Sequence, residues 1–472
     1  MKHLKIIVLT CLAAFALTSC FEDMDDNIIP GRDINDFVWK GMNAVYLYKS
    51  EIPNLDDGRF SSNEEYVNYL NDYSTPEELF ESLKYSPSTV DRFSRIYSNY
   101  FDLQNQQAGT TLTDGLEYNL YLVPGSSTEV FGAITLVLEN STADNLGLQR
   151  GEIFRAVDGI ELTVDNRIEL LNQNSYTLNF ADYNDNDTTT PIDDTITLNG
   201  NSASISKVAY TENPIHIAEV INVDNLNIGY LMYNGFNANF DTSLNDAFAQ
   251  FNAAGVSELV LDLRYNGGGS VQTAAYLGSM VTGQYTGEVF SKLFFNDNLS
   301  SNNNTYTFTN SIPNGGAINS LNLNKVYVLT SNKRTASASE LIINSLKPYI
   351  EVIVVGENTV GKTQASRVIY DSPDLSNNNV NPSHTYAMQP LIANSTNVND
   401  ELVPSTGMIP DIEISERPHT LGTLGDLNEP LLEAALAHMT GSGRPADSEF
   451  ETYKYIDINM PIPAIEQDMY VE

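Results

Sequence analysis

The chain has 472 residues, of which 61 are acidic and 24 basic, giving a formal net charge of −37. So acidic a surface repels the phosphate backbone of nucleic acid and anionic lipid headgroups, which excludes nucleic acid as a partner. An apolar fraction of 42% is enough for real cores, and the length suits two or three domains.

Residues 1–19 read as a targeting segment. Met1 to Lys5 is a short basic start, and Ile6 to Leu17 is an apolar run too short to remain as a membrane span. The run ends in Leu17-Thr18-Ser19-Cys20, which resembles the lipobox of a bacterial lipoprotein. That resemblance implies cleavage before Cys20, a lipid on its thiol, and a chain anchored to a membrane of the cell envelope, the outer membrane expected, with periplasmic or surface display left open. The plainer alternative is an ordinary signal peptide with an incidental cysteine. The acidic run Glu22 to Asp26 resembles surface-export signals of Bacteroidetes-type lipoproteins and also suits a solvated tether over residues 20–32. The cysteines are Cys11 and Cys20, so the mature chain has no disulfide, cysteine cluster or cysteine nucleophile.

Residues 33–105 read as a helical docking or lid module, with Thr75-Pro76-Glu77-Glu78 as a helix start. Residues 110–208 read as short strands. The pattern around Gly147, Gly151 and Asp158-Gly159 resembles a PDZ domain, the alternative being a generic small β-domain. PDZ domains take a peptide C-terminus by strand addition. The corresponding carboxylate loop would be Gly115, Leu116, Glu117 and Tyr118, followed by a strand to Val123. Residues 209–440 alternate strand and helix, which predicts an α/β domain with a largely parallel sheet. The Asn-rich stretch from Asn296 to Gly316 reads as a mobile surface insertion, and 441–472 as an acidic tail. The expected fold class is thus an α/β catalytic domain plus a small PDZ-like β-rich domain and an N-terminal helical domain.

Three segments carry chemistry. Asp262-Leu-Arg-Tyr-Asn-Gly-Gly-Gly269 leaves a buried strand; its glycines suit a tight turn or a backbone donor facing a reacting carbonyl. Ser337 with Glu340 makes a capping box between strand and helix, and the same position suits an exposed nucleophile with the Ala338 N–H aimed at an oxyanion. Gly356 to Thr363 matches the phosphate-binding pattern G-x-x-x-x-G-K-T. The residues after Lys362, however, read as strand and not as the helix that must cradle phosphate.

Taken together, these segments resemble the C-terminal processing (tail-specific) serine peptidases, whose members show D-L-R-x-N-x-G-G, then S-A-S-E, then G-x-x-x-x-G-K. Ser337 and Lys362 are 25 residues apart, the family spacing. Carried over by position, the resemblance makes Ser337 the nucleophile, Lys362 the general base, and the N–H groups of Gly269 and Ala338 the oxyanion donors. It implies protein or peptide substrates and neither cofactor nor metal. Gly407 to Asp411 looks like the family's G-x-x-P-D, and Glu429 to Ala435 like its closing helix. The sequence departs from the family at Ser366, where many members have glutamine, and at Pro348, where some have aspartate. Ser366 is a candidate for orienting Lys362.

A free lysine, with a pKa near ~10.4, is protonated at neutral pH and useless as a base. Burial between apolar strands disfavours the ammonium and brings the pKa toward ~7–8. Besides the Ser/Lys endopeptidase stand two alternatives: a catalytically dead relative that binds protein tails, and a P-loop-like nucleotide binder. The four histidines beyond the targeting segment share no metal-ligand spacing.

Overall fold

A computed structural model describes residues 31–107, 110–188, 191–313, 315–441, 455–456 and 469–470. The targeting segment, Cys20 and most of the acidic tail lie outside the described residues. Among those described, no helix is long and apolar enough to cross a membrane.

The N-terminal region is helical: α1 (Gly31–Val45), α2 (Asn63–Asn71) and α3 (Pro76–Ser82). Ser62 and Thr75 cap the second and third by accepting from the N–H groups of Glu65 and Glu78. Phe37, Val38, Met42 and Phe80 belong to the same buried cluster as Leu231, Leu261 and Val328 of the α/β sheet. The helices are therefore packed into the main core.

A β-rich unit follows, with β1 (Leu116–Leu122), β2 (Val130–Val137), β3 (Ile153–Val157), β4 (Ser175–Asn184) and β5 (Thr195–Ser206) paired in that order, all antiparallel. It has its own core of Leu120, Ile134, Phe154, Leu178 and Ile205.

The α/β unit contains β6 (Ile215–Val223), β7 (Leu226–Tyr233), α4 (Asp241–Ala253), β8 (Glu258–Asp262), β9 (Gly269–Ser270), α5 (Val271–Thr282), β10 (Val289–Phe295), β11 (Asn304–Thr307), β12 (Lys325–Thr330), α6 (Ala338–Leu346), β13 (Glu351–Gly356), β14 (Gln364–Ser366), β15 (Leu391–Thr396), β16 (Ile412–Glu413) and α7 (Pro430–Thr440). One sheet runs β6-β7-β8-β12-β13-β16, parallel throughout except for the β6–β7 pair. Its strands read as continuous apolar runs because helices cover both faces. Leu244, Ala247, Phe248 and Phe251 are the buried stripe of α4, as their helical spacing predicts.

A second sheet runs β9-β18-β14-β15-β10-β11, where β18 is Met469–Tyr470; β17 (Tyr455–Ile456) joins the edge of the β-rich sheet beside β1. The stretch read as a mobile insertion is structured: Asp297–Asn302 forms a short 3-10 helix and β11 pairs with β10. Its asparagines supply the turn, since Asn296 Oδ1 accepts from the Leu299 N–H and Asn303 Oδ1 from the Phe295 N–H.

Candidate active site

β8, β12 and β13 are neighbours in the parallel sheet, and the three chemistry-bearing segments leave their carboxyl ends. Such a sheet places sites there because the strand-to-helix turns converge on one edge. The loop after β8 carries Gly269, the loop after β12 carries Ser337, and the loop after β13 carries Lys362.

Ser337 has φ 63° and ψ −117°, an unfavourable conformation for a residue with a Cβ. It is fully buried, and its Oγ has no hydrogen-bond partner. The turn has the form of a capping box, with the Ser337 side chain toward the Glu340 N–H and the Glu340 carboxylate accepting from the Ser337 N–H at 2.9 Å, but the hydroxyl itself forms no hydrogen bond. An off-region backbone and an orphan buried hydroxyl each cost stability, and such costs concentrate at functional positions.

Glu340 does more than the sequence reading assigned to it. One carboxylate oxygen accepts from the Ser337 N–H and from the Lys362 N–H, at 2.9 and 2.8 Å. The other accepts from the Gly361 N–H at 2.7 Å and from the Thr359 hydroxyl. A single buried side chain thus ties the serine turn to the lysine loop. Burial pushes its carboxyl above the ordinary glutamate range, against the pull of these four donors. In space Glu340 touches the main chain of Lys362. The S-x-x-E signal was visible, but its second use needs the fold.

Lys362 is fully buried, with its Nζ 5.2 Å from the centroid of the Phe93 ring. Its loop is held from outside by Arg92, which donates to the carbonyls of Val360, Gly361 and Ser405. Gly361 has φ +85°, and a Cβ there would lie 2.3 Å from the Ser405 carbonyl oxygen. The match to a phosphate loop fails physically. The N–H groups of Gly361 and Lys362 already bind the Glu340 carboxylate, and β14 follows where a helix N-terminus is required.

The glycine-rich segment is held by a charged network that the sequence reading missed. Arg264 is fully buried and pairs with Asp262 at 2.8 Å, Glu416 at 3.0 Å and Glu429. Arg150, reaching across from the β-rich unit, also pairs with Glu416. Burial pushes the Glu416 carboxyl up, but Arg150 and Arg264 outweigh it and hold it down at about 2. Asn266 then links this base to the serine turn: its carbonyl accepts from the Ser339 hydroxyl at 2.9 Å, and its side chain from the Gly268 N–H. Asp262, Arg264 and Asn266 are the D-L-R-x-N of the motif, so the pattern was legible while its role was not.

Two expectations need correction. Ser366 does not orient Lys362; its hydroxyl donates to the Met469 carbonyl and accepts from Gln389 Nε2, each at 3.3 Å. The strand geometry of β14 places that side chain between β18 and the Gln389 strand. In the supposed carboxylate loop, the Gly115 N–H donates to Thr113 Oγ1 and the Leu116 N–H to Asp114 Oδ1. These local turns consume the donors a peptide carboxylate would need. Glu117 pairs with Arg334, three residues before Ser337, at 2.8 Å, and Tyr118 stacks edge-on against Phe154. No metal-binding group of acidic, histidine or cysteine side chains occurs among the described residues.

Residues 227–414 match Peptidase family S41, and residues 33–95 match the Peptidase S41 N-terminal domain. The chain belongs to peptidase family S41. Over 86% of its length it superimposes with a TM-score of 0.69 on 97% of a Bacteroides fragilis NCTC 9343 protein assigned to the S41 proteases, at 27% identity. It is 24% identical over 213 residues to the carboxyl-terminal-processing protease of Picosynechococcus sp., covering 45% of each chain. It is 28% identical over 142 residues to the chloroplastic C-terminal processing peptidase of Tetradesmus obliquus, covering 30% of this chain and 28% of that one. The match thus spans less than half the length of either of these relatives. The S41 assignment accounts for the three motifs together: they are the three strand-end loops of one S41 serine peptidase fold.

Proposed function

We propose that the chain is an endopeptidase in which Ser337 is the nucleophile and Lys362 the general base. The observation that carries this reading is the buried Ser337 hydroxyl, held at positive φ with no hydrogen-bond partner, on a turn that Glu340 ties to the Lys362 main chain. A serine kept there at a cost, without capping its helix, suits a reacting group.

In the proposed reaction, Ser337 Oγ attacks the scissile carbonyl carbon while Lys362 Nζ takes its proton. The oxyanion is met by the N–H groups of Gly269 and of Ala338, the latter at the start of α6 where N–H groups lack intrahelical partners. Collapse expels the amine, which takes the proton from Lys362, and water then releases the acyl group by the same route in reverse. A neutral lysine is needed at the start of this step.

Substrate selection by C-termini is part of the proposal, supported by the names of the two relatives. Residues 110–208 are proposed to be PDZ-like from the glycine pattern around Gly147 and Gly159 and the antiparallel β-rich unit they form. Anchorage through Cys20 to the cell envelope is proposed from the lipobox resemblance. The test is hydrolysis of unfolded casein by the purified chain beside Ser337→Ala and Lys362→Ala. Loss of turnover in both, with circular dichroism unchanged, supports the dyad; undiminished turnover in either removes that residue from it.

A further inference from the structure

The second sheet contains a strand that does not belong to the α/β unit by sequence. β18 lies between β9 and β14 and runs parallel to both, with Met469 opposite Gly269 and Tyr470 opposite Ser270 and Ser366. Without it, β9 and β14 would stand apart by two strand spacings, about 9–10 Å, a corridor one extended chain wide.

The walls of that corridor carry the proposed chemistry. β9 begins at Gly269, the oxyanion donor, and its other edge is pinned, since the Ser270 N–H donates to the Phe236 carbonyl. A Cβ at Gly269 would lie 2.2 Å from that same carbonyl oxygen. β14 begins two residues after Lys362. Ser366 donates to the Met469 carbonyl, and the Met469 side chain is 1% exposed within the main core. Ser337, Lys362 and Ser366 are all fully buried. A protein substrate cannot reach a nucleophile so enclosed.

The same tail makes a second contact of the same kind. β17 adds antiparallel to the edge strand β1, with Tyr455 opposite Tyr121 and Ile456 opposite Leu120.

We propose that the strand Met469–Tyr470 is a tethered pseudo-substrate that fills the substrate's corridor. This rests on the endopeptidase reading above. It specifies the substrate as an extended polypeptide running parallel to β9 and β14, with an apolar side chain in the slot that Met469 fills, and it makes displacement of the tail a condition for turnover.

The test uses the 472-residue chain. Met469→Asp puts a charge into an apolar slot and should raise fluorophosphonate labelling and casein hydrolysis about tenfold, the change produced by shifting a closed population by one decade. Met469→Leu should match wild type. A synthetic peptide of residues 464–472 should slow Met469→Asp, and the same peptide with aspartate in place of methionine should not. Met469→Ala, a milder change, gives the same readouts should the aspartate variant not fold.

Binding of the fluorescent peptide to the double variant Ser337→Ala, Met469→Asp reports on the slot without any chemistry. Equal rates in wild type, Met469→Asp and Met469→Ala, with no peptide binding, would overturn the proposal. Peptide binding with every form inert toward casein and probe would leave the slot standing and overturn the peptidase reading instead.

Discussion

Replacing Ser337 by alanine should stabilise the chain while abolishing its activity. If the serine were a helix cap, Ser337→Ala would cost about 0.5–2 kcal/mol. The structure gives the opposite sign. The hydroxyl is buried without a partner, so its removal recovers the desolvation penalty of an unsatisfied group, about 1–3 kcal/mol. The loss of one buried oxygen leaves little cavity, because Cβ remains. Ser337→Gly goes further: it also relieves a backbone at φ 63°, worth about 1–3 kcal/mol, and forfeits about 0.5–1 kcal/mol of unfolded-chain entropy. Both variants should unfold at a higher temperature than wild type, with glycine no worse than alanine. Thermal unfolding of the three proteins, followed by circular dichroism, measures it. Destabilisation of Ser337→Ala by a kilocalorie or more would refute the argument and restore the capping role.

Three further outcomes follow from the same geometry. Glu340→Ala removes the acceptor of four donors, so it should lower stability by several times the roughly 1–3 kcal/mol of one orphaned group and cut kcat more than KM; urea unfolding and steady-state kinetics check both. Gly361→Ala forces a Cβ against the Ser405 carbonyl at φ +85°, and should cost at least about 1–3 kcal/mol and reduce turnover by displacing the lysine loop. The Glu416 carboxyl is held at about 2, below its ordinary 4.5, so folding favours its ionised form. That contribution, on the order of 3 kcal/mol, is complete above about pH 4.5 and disappears as the pH falls through about 2. Acid titration of stability should therefore be shallower over that window in Glu416→Gln, which should itself be less stable at pH 7 because Arg150 and Arg264 lose a buried partner.

The elements of the α/β unit were legible because their signals are local. Apolar runs such as Leu259 to Leu263 and Val352 to Val355 became adjacent parallel strands, and the stripe of α4 was read residue by residue. The three motif segments were legible for the same reason, and each leaves a strand end as expected. What the sequence hid is pairing over distance. Nothing near position 340 announces that its carboxylate will serve residues 361 and 362, and nothing near Arg264 announces Glu416 and Glu429. The Asn-rich stretch misled because asparagine signals a turn without saying whether the turn is packed. Ser366 misled because strand alternation turns its hydroxyl to β18, a partner from the far end of the chain. The tail, read only as acidic, carries apolar Met469 into the core.

The most direct measurement is the site and rate of fluorophosphonate labelling, followed by peptide mapping in wild type and Lys362→Ala. The account predicts an adduct on Ser337, formed about 10²–10⁴-fold more slowly when the lysine is removed, the range a general base contributes. An adduct on any other serine, or equal rates in the two proteins, would contradict it.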